Sequence, residues 1–76
     1  MKNLLEYLLI HLVQFPEDVK VEEKEENGIF EYLITVNPED MARVIGKKGS
    51  VINSIRAIAK VRAVKDSVKV NVKLVD

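Results

Sequence analysis

Residues 44–50 read Val-Ile-Gly-Lys-Lys-Gly-Ser, and two of the chain's three glycines frame the adjacent lysines. The apolar pair Val44-Ile45 closes a helical stretch, and a second helical stretch opens at about Ser50. Only Gly46-Lys47-Lys48-Gly49 connects them. The first glycine is expected to take the left-handed conformation that closes a helix, and the second to let another chain approach with no Cβ in the way. The amides of Gly49, Ser50 and Val51 stand at the positive end of the following helix, where unpaired N–H groups attract an anion. Lys47 and Lys48 add mobile positive charge. On these residues alone the turn reads equally as a phosphate site and as a tight helix–turn–helix connection with solubilising lysines.

The flanking segments are periodic. In residues 50–64, with Ile55 as reference on a helical wheel, Val51, Ile52, Ile58 and Ala59 fall within about 60° of it and form the expected core face. Asn53, Arg56 and Lys60 make a polar, basic flank, and Ser54, Ala57 and Val61 a weakly apolar strip beside Ile58. Upstream, Asn37 suits an N-cap and Pro38 the first helical position. Glu39 and Asp40 complement the positive end of the dipole, and Gly46 stops the helix. Residues 18–37 read as a hairpin, because Asn27-Gly28 favours positive φ at both central positions of a tight turn. Val19 and Val21 precede that turn, and Phe30, Tyr32, Ile34 and Val36 alternate after it. Val68, Val70, Val72 and Leu74 alternate with polar residues in a closing half-buried strand. Residues 3–14 form an opening helix with Leu4, Leu5, Leu8, Leu9 and Leu12 at helical spacing, ended by Pro16. His11 belongs to the surface or boundary of that helix. The order is helix, strand, strand, helix, helix, strand. A three-stranded sheet with one apolar face, covered by three helices, would bury everything periodic.

Composition narrows the function. The 76 residues have no cysteine and one histidine, which argues against disulfides and a structural zinc site. Glu6, His11 and Gln14 interrupt the apolar N-terminal stretch, which is too short to span a bilayer. A cytoplasmic protein with no membrane partner is expected. The formal net charge is zero, but residues 1–38 carry 3 basic and 8 acidic side chains while residues 39–76 carry 9 and 4. Between Met41 and Lys65 there are 7 basic residues and no acidic one. Such a local positive field suits a polyanion, and the acidic run Glu22, Glu23, Glu25, Glu26 is a solvated strand end that would repel one. The turn is not a nucleotide-hydrolysing P-loop, because Ser50 follows Gly49 directly, a helix precedes the turn, and no magnesium-binding acid lies in the basic stretch. With no Ser–His–Asp set, metal-ligand cluster or carboxylate pair in an obvious pocket, no enzyme is expected.

Taken together, "VIGKKG" between two helices resembles the VIGxxG signature of the KH domain, a module that binds single-stranded RNA and DNA. The element order resembles the type II KH arrangement. The short length, N-terminal helix and "IGKKG…IR" run resemble the small stand-alone KH proteins of bacteria. The resemblance covers nearly the whole chain. It implies an α+β fold of order α-β-β-α-α-β and a single KH domain over residues 1–76, with no cofactor. It also implies a post-transcriptional regulator or RNA chaperone whose GxxG loop clamps the backbone of about four nucleotides, with the bases in a narrow apolar groove between helices and sheet edge. Carried onto this sequence, Gly46, Lys47, Lys48 and Gly49 are the loop, and Ile45 serves either the groove floor or the core. Arg43 and Arg56 flank the loop, reaching phosphate or base edges or remaining solvated. Ser50 stands where an Arg or Gln is expected and loses one phosphate contact. The resemblance further implies pairing with a second copy or with a larger KH-containing protein. The alternative is a KH-fold protein–protein adaptor with little RNA binding of its own.

Overall fold

The computed structural model describes residues 1–75, and Asp76 lies outside the described residues. The chain runs α1 (Lys2–Ile10), β1 (Lys20–Glu26), β2 (Ile29–Thr35), α2 (Met41–Ile45), α3 (Ser50–Lys65) and β3 (Lys69–Leu74). Single 3₁₀ turns at Pro16–Asp18, Pro38–Asp40 and Lys47–Gly49 introduce β1, α2 and α3. This is the α+β order and the helix-covered three-stranded sheet that the periodicity predicts.

The hairpin forms as its turn residues require. Asn27 and Gly28 have φ of 53° and 78°, so both central positions are left-handed. The two-residue loop sets Glu26 opposite Ile29 and Val21 opposite Ile34. In the sheet, β2 is central, antiparallel to β1 and parallel to β3. Tyr32 lies between Glu23 and Val72, and Ile34 between Val21 and Leu74, so one face is apolar. The other face carries charge, with Lys73 paired to Glu31 at 3.1 Å. The three helices cover the apolar face. Leu5 and Leu9 of α1, Val44 of α2, and Ile52, Ile55 and Ala59 of α3 join Val21, Tyr32, Ile34, Val36 and Val72 in one core. The Tyr32 hydroxyl donates to Glu23 Oε1 at 2.7 Å. Burial, then the neighbouring carboxylate, holds that phenol well above its usual pKa. The folded state therefore keeps a proton that the unfolded chain loses above about pH 10, and stability falls from there upward.

Three expectations are corrected. First, α1 ends at Ile10 rather than residue 14. Leu12 and Val13 both turn back to the Leu9 carbonyl. The amides of Gln14 and Phe15 then donate to Asp40, at 2.9 Å to Oδ1 and 3.0 Å to Oδ2. Asp40 is fully buried, so its main role is not to complement a surface dipole. Second, the buried face of α3 is Ile52, Ile55, Ala59 and Ala63. That face is turned about 45° from the wheel centred on Ile55, which leaves Ile58 42% exposed rather than in the core. Third, α3 continues past Val64 to Lys65 and closes on a left-handed Ser67, with the Val68 amide bonded to the Ala63 carbonyl. The caps before α2 form as expected: Asn37 Oδ1 accepts from the Glu39 amide at 2.8 Å, and its Nδ2 donates to Asp18 at 2.8 Å.

Asp40→Asn keeps one acceptor but sets an NH₂ group against the second backbone amide. It is expected to cost about 2 kcal/mol, the scale of a hydrogen bond to a buried charged group. Urea unfolding checks this: the midpoint falls with the slope unchanged, and a parent-like midpoint would show that the carboxylate does not hold the α1 terminus.

Candidate nucleic-acid interface

The loop between α2 and α3 is built by two unlike glycines. Gly46 has φ 77° and ψ 173°, a conformation open only to glycine, and its amide closes α2 on the Ala42 carbonyl. A Cβ at Gly46 would lie 2.4 Å from Val51 Cγ2 and 2.7 Å from the Val51 amide nitrogen. Gly49 is left-handed, with φ 77° and ψ 13°, and a Cβ there would meet only Asn53 Nδ2 at 3.5 Å and Ile52 at 4.0 Å. The expected roles are thus refined. Gly46 has positive φ but lies outside the left-handed helical region expected of it, which Gly49 occupies instead; Gly46 is needed for a close approach inside the chain, and Gly49 has room on its side of the loop. Lys48 is also left-handed, at φ 57° and ψ 28°.

The loop amides differ from the expectation. Gly49 N–H donates to the Gly46 carbonyl at 3.2 Å and Ser50 N–H to the Lys47 carbonyl, so two of the three are spent within the turn. The Val51 amide packs against Gly46. The Gly49 and Ser50 amides are therefore not free to hold an anion. Lys47, Lys48, Arg43 and Ser50 are all exposed. Ile45, at the end of α2, is 37% exposed, which places it at the surface beside the loop rather than in the core. The Ser50 carbonyl accepts from Ser54 Oγ at 2.9 Å.

Arg56 does not sit on the loop. It lies about 9 Å further along α3 from Ser50, where its Nε donates to the Val72 carbonyl at 3.1 Å. That carbonyl belongs to β3, an edge strand of the sheet. Between α3 and β3 runs a groove of about 540 Å³, lined by Arg56, Lys60, Val64, Val68 and Val70 among others. Its lining is mostly apolar, chiefly valine, and it also carries Arg56, Lys60, Lys69 and Asn71. Asn53, Arg56 and Lys60 share one flank of α3, and Asn53 reaches back to Gly49, so that side of the loop and the groove lie on the same side of the helix. Lys60 and the valines of β3 line this groove beyond the loop and its immediate flanks. The signal for them in the sequence is the basic spacing along α3 joined to the alternation in residues 68–74. Tyr32 is buried and cannot stack on a base.

A glycine-framed basic turn between two helices, set beside a groove at the edge of a three-stranded sheet, defines a KH-type binding module rather than an enzyme. Residues 2–74 match the family model described as KhpA/KhpB, KH domain, and the chain belongs to that family. It is 44% identical over 77 residues to the RNA-binding protein KhpA of Clostridium perfringens, covering 99% of this chain and 100% of the relative. It is 41% identical over 75 residues to the RNA-binding protein KhpA of Thermotoga maritima, covering 99% of each. It is 49% identical over 57 residues to the RNA-binding protein KhpA of Lactiplantibacillus plantarum, covering 75% of this chain and 67% of the relative.

The two glycines separate experimentally. Gly49→Ala should cost about 1 kcal/mol, the strain of a left-handed alanine. Gly46→Ala should cost about 1–3 kcal/mol more, because a backbone nitrogen blocks the new methyl and cannot rotate away. Thermal unfolding of the two variants measures the difference, and equal losses would contradict the assigned roles.

Proposed function

We propose that this chain is a single-stranded RNA-binding protein whose Gly46-Lys47-Lys48-Gly49 loop grips the sugar–phosphate backbone while bases enter the groove between α3 and β3. The observation that carries this reading is the shared flank of α3. The exposed lysine pair, the open side of Gly49, and the Arg56–Lys60 rim follow one another along a path with no acidic residue from Met41 to Lys65. Arg43 and Ser50 border the path at its loop end, and Ile45 gives it an apolar shoulder. That these relatives are named RNA-binding proteins agrees with the reading. Valine walls accept any base face without reading hydrogen bonds, so one copy has low sequence selectivity. Two to three neutralised phosphates set a shallow salt dependence. The protein acts in a bacterial cytoplasm as a post-transcriptional regulator or RNA chaperone.

Replacing Lys47 and Lys48 together by Asp should weaken binding to a labelled single-stranded RNA at least about tenfold and lower the salt slope by about two. Fluorescence anisotropy across a salt series reads both quantities. A variant that folds normally and binds like a binding parent would remove the lysine pair from the grip, and a parent that binds no RNA would sink the RNA reading and leave the protein–protein adaptor.

Low affinity per copy gives pairing a purpose, since two linked loops gain avidity. The surface for it is the apolar strip of α3, where Ile58 and Val61 are 42% and 71% exposed. Ile58 lies about 160° around the helix from both Arg56 and Lys60, and Val61 about 140° from Arg56 and about 100° from Lys60, so pairing centred on Ile58 leaves the groove open. The same strip serves a second copy or a larger KH-containing partner. Sedimentation of the isolated chain should show a dimer, and Val61→Asp should return it to monomer with unchanged thermal stability. A parent that stays monomeric at high concentration would remove this assignment.

A further inference from the structure

Asn53 has no part in the family motif and is exposed on the first turns of α3. Its side chain is nevertheless held. Arg56 Nη1 donates to Asn53 Oδ1 at 3.3 Å, and Arg56 Nε is itself fixed on the Val72 carbonyl at 3.1 Å. A guanidinium has donors only, so the carboxamide must turn its oxygen toward Arg56 and its NH₂ group away. The NH₂ group then faces the open side of Gly49, where a Cβ would lie 3.5 Å from Nδ2. A strand approaching Gly49 from that side meets two neutral N–H donors, already oriented, beside the two mobile lysines. The chain of contacts runs from the backbone of β3 through Arg56 and Asn53 to the loop, and it spans both halves of the interface.

We infer that Asn53 is an RNA-contacting residue that donates Nδ2–H to a backbone phosphate oxygen at Gly49, and that Arg56 is the positioning residue that orients it. This rests on the RNA-binding reading above. A side-chain amide held at a fixed angle costs less ordering on binding than a free lysine. It also adds no charge, so its contribution does not vary with salt as a lysine contact does.

The test uses the full chain, a fluorescein-labelled single-stranded RNA of mixed sequence, and anisotropy over a salt series, with thermal unfolding as the check on folding. Asn53→Ala should weaken binding about tenfold, the value of one hydrogen bond to a charged group, with the salt slope unchanged. Asn53→Asp, which sets a carboxylate against the phosphate, should bind more weakly still. Arg56→Lys keeps the charge but not the two-sided grip, and its loss of affinity should vanish in the Asn53→Ala background, a non-additivity expected of coupled residues. If the parent binds and the Lys47/Lys48 double variant does not, yet both Asn53 variants bind like the parent, the inference is overturned and the RNA reading stands. Equal losses from Arg56→Lys in both backgrounds would overturn the positioning role. A parent that binds no RNA removes the reading and this inference together.

Discussion

The carboxylate of Asp40 ties the two ends of the helical layer together. Residue 40 stands at the entry to α2, and the amides it holds belong to Gln14 and Phe15, just after α1. Those amides would otherwise continue α1 or lie buried without partners, at a cost of kilocalories each. A helix of five residues, such as α2, does not hold itself, since most of its length goes into nucleation. Its place is set by the capped turn before it, by Val44 in the core, and by Asp40. The Asn37–Asp18 bond closes the same corner from outside. The glycine–lysine loop therefore takes its position from a buried charge at the far end of α2, as well as from α3 behind it.

This dependence explains which parts of the fold were legible in the sequence. The hairpin was, because Asn27-Gly28 and the alternation around it are local signals. So were the cap at Asn37 and the stop at Gly46. The end of α1 was not, because the group that ends it is 25 and 26 residues away and looks like an ordinary first-turn acid. The face of α3 was read with the right residues at its centre and the wrong tilt. Ile58 is larger and more apolar than Ala63, yet Ala63 is buried. A helix lying close on a sheet selects small residues at the contact, and a wheel weighted by hydrophobicity follows the large ones.

The candidate site divides the same way. Lys47 and Lys48 are legible because glycine and charge are adjacent in sequence. The bond from Arg56 to Val72 is not, since its acceptor is a backbone carbonyl whose position depends on strand register. The anion site expected of the helix terminus was a sound general inference, but the 3₁₀ turn at Lys47–Gly49 consumes the Gly49 and Ser50 amides locally. On the RNA-binding reading, what remains is a set of side chains on the loop, on one flank of α3 and along β3. The apolar strip on the other flank is the same length of helix used a second time. On the proposed reading, a helix of 16 residues on a small sheet would give one sector to the core, one to the ligand and one to a partner.

Lys48 occupies a left-handed backbone conformation without being glycine. For most side chains this costs about 1 kcal/mol, and nothing in the local packing requires a lysine there. Glycine would sit at that position more comfortably, so the residue that best suits the backbone is not the residue present. On the RNA-binding reading, the charge is what keeps lysine in place, and position 48 becomes a point where thermal robustness and ligand affinity oppose each other. Selection for stability alone would drift this position toward glycine or asparagine, and a thermostabilised variant obtained that way would have lost part of its grip without any change in fold.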